Sequence, residues 1–203
     1  MARRADHTRD ELYDLALVAA QKIAEKKGLK GLTARRVATR IGYSTGTLYN
    51  VFDSFTDLLV HLNGRTLDSL YDYVTAERPK DDVEATLKIF AHRYIHFTSE
   101  RAKLWSIVFA TGLPRGDQLP KWYHDKMHRL LGLLEEALDP LFGQGRKAER
   151  DLSVRVLWSS LHGVCSLVAA GVMVTEHSAK IMIDDLIHTY IAGLQPNRSR
   201  RQN

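Results

Sequence analysis

Residues 32–59 read LTARRVATRIGYSTGTLYNVFDSFTDLL, and this stretch decides the fold of the N-terminal part of the chain. Two short apolar runs at helical spacing, one after Thr33 and one after Ser44, are separated by Gly42. Threonine and serine are preferred helix N-caps, and glycine adopts the left-handed backbone that ends a helix. The pattern predicts two short helices joined by a tight turn, an arrangement that presents the second helix to the DNA major groove.

The same stretch resembles, nearly residue for residue, the helix-turn-helix of the TetR family of transcriptional regulators. In that family a Thr-capped helix leads through Ala-x-x-x-Gly to Ser-x-Gly-Thr-Leu-Tyr-x-x-Phe and then to a leucine pair. The matching residues are Thr33, Ala38, Gly42, Ser44, Gly46, Thr47, Leu48, Tyr49, Phe52, Leu58 and Leu59. The resemblance implies a DNA-binding regulator, for which repression is the usual output of the family.

The resemblance also assigns a DNA-facing surface to this chain. Its residues are Arg35, Arg36, Tyr43, Ser44, Thr45, Gly46, Thr47, Tyr49 and Asn50. Three of them are expected to approach base edges, namely Thr45, Gly46 and Asn50, and three to bind phosphate oxygens, namely Ser44, Thr47 and Tyr49. Both arginines are expected to contact the DNA backbone, with a guanine edge as the second option for Arg35. The alternatives are a core position for Tyr49 and a plain surface hydroxyl for Thr47.

Two residues depart from the family pattern. Phe55 stands where family members usually have a lysine that contacts phosphate at the start of the fourth helix, which puts that contact in doubt. Tyr43 stands where a smaller aliphatic residue is common, so different packing of the turn is expected. The N-terminal arm adds Arg3 and Arg4, for which phosphate or minor-groove contacts and an exposed disordered tail are both open.

Basic residues concentrate at the start of the chain. Residues 1–50 hold ten Lys and Arg against five acidic residues and so carry the whole formal net charge of +5. The remaining 153 residues hold 19 bases and 19 acids. A basic head on a neutral body favours a polyanion as the partner of the head, with a merely solvated charged face as the alternative.

Caps, glycines and prolines divide the chain into about nine segments of helical periodicity, with no alternating strand. We therefore expect an all-α protein with a helix-turn-helix domain of three helices at residues 1–55, a helical ligand-binding and dimerisation domain at 56–195, and a disordered basic tail at 196–203. Thr8 and Glu11 have the spacing of a capping box, and Gly28 is the predicted end of the first helix. The predicted sixth helix spans roughly residues 100–111, the eighth runs to about Val174, and the ninth starts at Ser178.

Composition limits the cellular setting and the chemistry. No run of 18 or more apolar residues and no secretory start is present, so we expect no membrane partner and a cytoplasmic location. Cys165 is the only cysteine, which excludes an intrachain disulfide, and its apolar neighbours indicate a buried thiol. We expect no cofactor, no metal and no catalysis.

A homodimer is expected, because two heads read two half-sites of a palindrome about 34 to 36 Å apart. The apolar stripes of the eighth and ninth helices are the predicted interface. Its residues are Val154, Leu157, Leu161, Val164, Cys165, Val168, Ile183, Leu186 and Ile187. The alternative is that these side chains fill the core of the monomer.

Residues 157–163, LWSSLHG, resemble the Trp…His-Gly (WHG) signature of a subgroup of TetR-family C-terminal domains. This second resemblance implies a regulatory domain without naming its ligand. A mainly apolar pocket for a small apolar or amphipathic ligand is expected among the fifth to eighth helices. The candidate lining residues are Phe90, Tyr94, Phe97, Trp105, Phe109, Trp122, Met127, Trp158 and His162. The alternative is that most of these aromatic residues belong to the core.

Two other classes of protein stay open. A metal-dependent enzyme is suggested by the pairs His92/His96 and His124/His128, each four residues apart on one helical face. Neither pair has the glutamate next to its first histidine that the HExxH pattern of metalloproteases requires. A DNA-bound adaptor would use the same head, with a body that binds a protein instead of a small molecule.

Overall fold

The computed structural model describes residues 7–77, 82–110, 112–143, 145–172 and 175–194, and in these ranges the chain forms nine α-helices and no strand. The helices are α1 (Arg9–Gly31), α2 (Ala34–Ile41), α3 (Thr45–Tyr49), α4 (Phe55–Thr75), α5 (Val83–Glu100), α6 (Ala102–Val108), α7 (Lys121–Leu138), α8 (Lys147–Ala169) and α9 (Glu176–Leu194). Single 3-10 turns precede and follow α7, at Gly116–Gln118 and Asp139–Leu141. The all-α fold predicted from the sequence is confirmed.

The helix starts are fixed by the capping residues that the sequence indicated. At α1 the Thr8 hydroxyl accepts the Glu11 N–H at 3.3 Å, and the Glu11 carboxylate accepts the Thr8 N–H at 2.6 Å. The N–H and the hydroxyl of Thr8 both donate to the Glu11 carboxylate, and these bonds to its ionised form hold the pKa of Glu11 below its usual value. Ser54 accepts the N–H of Asp57 at the start of α4, at 3.0 Å. Each cap satisfies a backbone donor that the first turn of a helix leaves unpaired.

Three helix ends differ from the sequence prediction. At Gly28 (φ 62°, ψ −170°) the backbone leaves the helical conformation as predicted, but helical structure resumes after it, so that α1 as a whole extends to Gly31. The helix α8 ends at Ala169, because Gly171 (φ 66°) turns the chain, and the predicted end at Val174 lies outside the described residues. The helix α6 occupies only Ala102–Val108 of the predicted span.

The start of α9 lies before the predicted one. Thr175 and Ser178 cap each other: the Ser178 hydroxyl accepts the Thr175 N–H at 2.9 Å, and the Thr175 hydroxyl accepts the Ser178 N–H at 3.2 Å. Ser178 is therefore the third residue of the first turn, and Thr175 is the cap.

The chain divides into two compact units. The first consists of Met1–Asp68 with Arg101–Tyr123, and the second of Ser69–Glu100 with His124–Asn203. The core of the first unit is formed by residues of α1, α2, α3 and α4 together with two fully buried residues of α6, Leu104 and Ile107. The helix-turn-helix therefore shares its core with a helix far downstream. The domain boundary after residue 55 stays a prediction, and the tail at 196–203 and the arm with Arg3 and Arg4 lie outside the described residues.

The second unit is built on α5, α8 and α9, which pack against one another. Both histidines of the first pair on α5 contact carboxylates of α9: His92 Nε2 lies 2.8 Å from Asp184 Oδ1, and His96 Nδ1 lies 3.6 Å from Glu176 Oε1. In the part of the chain that the structure describes, no three His, Cys, Asp or Glu side chains are grouped so that they could hold a metal ion.

The helix α8 is long and apolar enough to cross a membrane by length and composition. The sequence prediction of no such segment is therefore not supported by this criterion. Core helices of soluble proteins can have the same length and composition. The α8 side chains Val154, Leu157 and Leu161 are buried inside the chain itself.

Candidate nucleic-acid interface

The turn between α2 and α3 is set by Gly42. Its φ of 80° and ψ of 20° are left-handed, its N–H donates to the carbonyl of Thr39 at 3.2 Å, and the next N–H, of Tyr43, donates to the carbonyl of Ala38 at 2.9 Å. This is the Schellman end of a helix, which lets the chain reverse within two residues. Val37 and Leu48 are buried on the inner faces of the two helices. The turn and this small core hold α3 against α2.

Apart from the buried Leu48 and the half-buried Thr47, the residues of α3 are exposed to solvent. The Ser44 hydroxyl caps it by accepting the Thr47 N–H at 3.1 Å, and it lies 3.0 Å from the Thr47 hydroxyl. Thr45, Gly46 and Asn50 are exposed. The ring of Tyr49 is 46% exposed and is therefore not part of the small core.

Tyr43 has a specific contact where the family usually has an aliphatic residue. Its hydroxyl lies 2.6 Å from Nδ1 of His7, within hydrogen-bonding distance, and the two rings meet edge to face with centroids 5.9 Å apart. His7 directly precedes the Thr8 cap of α1. The substitution thus ties the turn of the motif to the start of the first helix, a contact that sequence reasoning did not find because the partner is 36 residues away.

Arg35 and Arg36, the two arginines of α2 on the predicted DNA surface, differ in their hydrogen bonding. Both side chains are exposed, and Arg36 also donates from Nη1 to the carbonyl of Gly31 at 2.7 Å. That bond occupies one of the five N–H donors of the guanidinium and leaves others for a ligand. Phe55, the other departure from the family pattern, is half-buried and packs against the core of the first unit. Its apolar ring has no donor for phosphate, so this chain lacks the usual side-chain contact at that position.

An aromatic cluster around His61 of α4 lies beside the motif in the same unit. The hydroxyl of Tyr13 is 2.9 Å from His61 Nδ1, and Phe52 packs edge-on against the His61 ring. The Trp122 ring stacks on the same imidazole, with ring centroids 4.8 Å apart. Burial lowers the pKa of His61, although Asp57 at 3.5 Å opposes this effect. Trp122, a candidate ligand contact, is thus used here to pack against His61.

The candidate ligand residues fall in both units. Trp105, Phe109 and Trp122 belong to the first, and the second contains Phe90, Tyr94, Phe97, Met127, Trp158 and His162. In the second unit Phe90, Tyr94 and Phe97 are buried, whereas Met127, Trp158 and His162 are half-buried.

Three of these residues form a polar contact within the apolar interior of the second unit. The Tyr94 hydroxyl lies 3.0 Å from His162 Nδ1, and the His162 ring is nearly parallel to that of Trp158, with centroids 5.4 Å apart. Burial raises the pKa of Tyr94 and lowers that of His162, so both groups favour their uncharged forms. Nearby, burial raises the pKa of Cys165 to about 11, which leaves a neutral thiol.

Most of the predicted dimer contacts lie in the core of the monomer. Six of the nine are buried within the single chain: Val154, Leu157, Leu161, Cys165, Ile183 and Ile187. Val164, Val168 and Leu186 are half-buried. The physical reason is that these side chains fill the space where α5, α8 and α9 meet. The exposed large apolar side chains of α8 and α9 are different residues: Leu152, Val156, Leu167, Ile181 and Met182.

The basic residues of α1 and α2 gather on one surface that the sequence prediction left out. Lys22, Lys26, Lys27 and Lys30 lie along the same concave region as Arg35 and Arg36. The available signal was the concentration of cations in the first fifty residues. What the sequence did not show is that two separate helices bring them together.

Two family models match this chain. Residues 16–62 match the model of bacterial regulatory proteins of the tetR family, and residues 87–190 match the tetracyclin repressor-like C-terminal domain. The WHG subgroup is not confirmed by these matches.

Similar proteins span nearly the whole chain. An uncharacterized HTH-type transcriptional regulator of Mycobacterium tuberculosis is 25% identical over 199 residues, covering 96% of this chain and 85% of that protein. A protein of unknown function from Rhodococcus sp. RHA1 has a TM-score of 0.74 at 18% identity, with 95% of this chain and 98% of that chain covered. A putative TetR-family regulator from Mesorhizobium loti has a TM-score of 0.68 at 18% identity, with 92% and 98% covered.

The structural likeness shows a shared fold, and the family models cover both the motif and more than half of the chain. Together with the motif geometry, they show that this protein belongs to the TetR family of DNA-binding transcriptional regulators.

Proposed function

We propose that this protein is a cytoplasmic repressor that binds a palindromic operator as a homodimer and is released by a small apolar or amphipathic ligand. The observation that carries the proposal is the solvent-facing surface of α3, where Thr45, Gly46, Tyr49 and Asn50 are exposed while Leu48 anchors the helix. An exposed polar helix held by a small core is what a major-groove reader needs.

The contacts within α3 support a division of labour on the DNA. The hydroxyls of Ser44 and Thr47 are hydrogen-bonded to each other at 3.0 Å, and this bond orients both of them at the N-terminus of α3. The N-terminus of a helix is a favourable site for phosphate oxygens. Thr45 has a small side chain and Gly46 has none, so α3 can approach the base edges closely at these positions. The exposed Arg35 adds a donor fork that matches phosphate or the guanine edge.

Exposed apolar side chains on α8 and α9 support the dimer. Leu152, Val156 and Leu167 lie on one face of α8, since they are separated by four and eleven residues. Leu152 is 62% exposed, and Ile181 on α9 is 58% exposed. Large apolar side chains gathered on adjacent helices indicate an interface more often than isolated ones do. We place the dimer contact on these residues, with the half-buried Val164, Val168 and Leu186 at its edge.

The uncharged Tyr94–His162 pair beside Trp158 supports the ligand proposal. It offers hydrogen bonds in apolar surroundings, which suits a molecule with an apolar body and one polar group. Binding there releases DNA only if the ligand prefers the conformation that does not bind DNA. To move the ratio of DNA-binding to non-binding conformation from 99:1 to 1:99, the ligand must bind the second conformation more favourably by about 5.5 kcal/mol. The helix α4 is the element for transmission, because residues 55–68 belong to the first unit and 69–75 to the second.

The test is selection of genomic fragments by the purified protein, with the salt dependence of binding read out. We expect a short palindrome to be enriched. Tyr49→Ala should then weaken binding to all sequences, whereas Thr45→Ala and Arg35→Ala should change base preference. No enriched sequence from a folded dimer would overturn the proposal and favour the adaptor. Unchanged binding by all three variants would instead overturn the recognition surface assigned to α2 and α3.

A further inference from the structure

A basic groove of about 740 Å³ lies between α1 and α2 in the first unit. Four lysines of α1 line one side: Lys22, Lys26, Lys27 and Lys30. Three arginines of α2 line the other: Arg35, Arg36 and Arg40. Gly28, with φ 62°, interrupts the helical path between Lys27 and Lys30, and the chain beyond it still contributes Lys30 to the same groove.

The charges of the basic groove are not balanced by the protein. None of its described lining residues is acidic, and none of its seven cations forms an ion pair with a carboxylate that the structure describes. Like charges four residues apart on a helix, such as Lys22 and Lys26, repel each other and destabilise it. Apart from the bond of Arg36 to the Gly31 carbonyl, the charges mainly repel one another, and a polyanion would neutralise them.

We infer that the basic groove is a second contact for duplex DNA, which holds phosphates next to the base pairs that α3 reads. This inference rests on the proposed function. Two observations favour duplex DNA over a small anion. The groove includes Arg35 and Arg36 of the predicted DNA surface, so the two surfaces are continuous. Seven cations exceed the charge of a single phosphate group, whereas duplex DNA presents one charge per about 1.7 Å of its axis.

The expected consequence is affinity without sequence information. Each phosphate neutralised by a lysine contributes about 0.9 to the slope of log affinity against log salt. The contact should act equally on the operator and on unrelated DNA, because the phosphate backbone is the same in both. The double variant Lys22→Gln/Lys26→Gln should therefore lower the salt slope by about two per bound protomer, with the ratio of operator to unrelated DNA affinity unchanged.

The experiment measures binding of the full chain to the selected operator and to an unrelated duplex across a salt series, together with phosphate-ethylation interference. The matched control is Arg115→Gln/Lys147→Gln, which removes the same charge from two exposed side chains outside the groove. Circular dichroism and melting confirm that both double variants are folded. Ethylation of the phosphates that Lys22 and Lys26 contact should block binding of the wild-type and control proteins. The same ethylation should no longer affect binding of the Lys22→Gln/Lys26→Gln variant.

The outcomes separate this inference from the proposed function. A salt slope and interference pattern identical to those of the control would overturn the groove contact while leaving operator binding intact. Unchanged DNA binding, combined with thermal stabilisation of the wild type but not the variant by inorganic pyrophosphate, would assign the groove to a small anion and also overturn the inference. Failure of the wild-type protein to prefer any sequence would instead overturn the proposed function.

Discussion

At the scale of single residues, the conformation of the motif depends on positions where only one residue type fits. Gly42 has a φ of 80°, and a Cβ added there would meet no atom within 4 Å. The requirement for glycine is therefore one of backbone conformation and not of space. Gly46 lies inside α3, the proposed recognition helix, and has no such requirement. A methyl group at this position would lie 3.6 Å from its nearest neighbour, the Ser44 hydroxyl.

The two glycines give a matched pair of variants. Gly42→Ala should lower the free energy of unfolding by about 1 to 2 kcal/mol, because a left-handed conformation costs an L-residue that much. Gly46→Ala should leave it unchanged or raise it by up to about 1 kcal/mol, because alanine favours a helix over glycine. Urea unfolding of both proteins measures the difference. Equal destabilisation would contradict the role assigned to the turn.

His162 gives a prediction on pH. Burial lowers its pKa in the folded chain below the ordinary value of 6.5, so the unfolded chain takes up the proton first as the pH falls. The free energy of unfolding should therefore decrease from about pH 6.5 downwards. His162→Asn keeps an acceptor for Tyr94 and should reduce this decrease. His177→Asn, which removes an imidazole from an exposed position, is the matched control with which the pH profile of His162→Asn is compared.

At the scale of elements, α6 is part of the DNA-binding unit although it begins about forty residues after the end of the motif at Leu59. Leu104 and Ile107 belong to the same buried cluster as Leu17, Leu48 and Phe52. The Nδ2 of Asn63 on α4 also donates to the carbonyl of Ile107, at 3.3 Å. The position of the recognition helix thus depends on a helix that the motif does not include.

The side chain of Ile107 tests that dependence. It is fully buried, so Ile107→Ala should cost about 2 to 5 kcal/mol of stability and weaken DNA binding near the unfolding transition. Val108→Ala, at the half-buried neighbouring position, should cost less. Chemical unfolding and operator binding at matched temperatures compare the two. A smaller loss for Ile107→Ala than for Val108→Ala would show that α6 does not stabilise the motif.

At the scale of the whole molecule, the exposed apolar residues of α8 and α9 are the basis for the proposed pairing of two copies. Leu167 is 43% exposed on the same face of α8 as Leu152 and Val156. Burying such a face between two copies removes apolar area from water, at roughly 25 cal/mol per Å². It also supplies the two-fold pairing of heads that a palindromic site requires.

The oligomeric state provides the corresponding prediction. Leu167→Glu should shift the protein from dimer to monomer in analytical ultracentrifugation, because a charge would be buried without a partner at the interface. Leu15→Glu places the same charge at an exposed leucine of the first unit and should leave the dimer intact. A Leu167→Glu protein that sediments as the wild-type dimer would move the interface to another surface.

The sequence by itself determined the local structure of this protein: the all-α fold, the caps Thr8, Thr33 and Ser44, the turn at Gly42 and the family. These features depend on hydrogen bonds and backbone conformations within a few residues, and each leaves its mark on residue type. The sequence predicted the end of α8 and the start of α9 less well. The apolar run of α8 continues past the turn at Gly171, and the cap of α9 is Thr175, three residues before the predicted start at Ser178.

Only the tertiary structure decided which apolar side chains face inward. Helical periodicity identifies an apolar stripe on α8, but that stripe is used for the core of the chain, and the exposed apolar face lies beside it. The tertiary structure also brought α6 into the DNA-binding unit, paired Tyr43 with His7, and gathered the lysines of α1 and the arginines of α2 around one groove. Such contacts join residues far apart in the chain, and no local preference records which helices will meet.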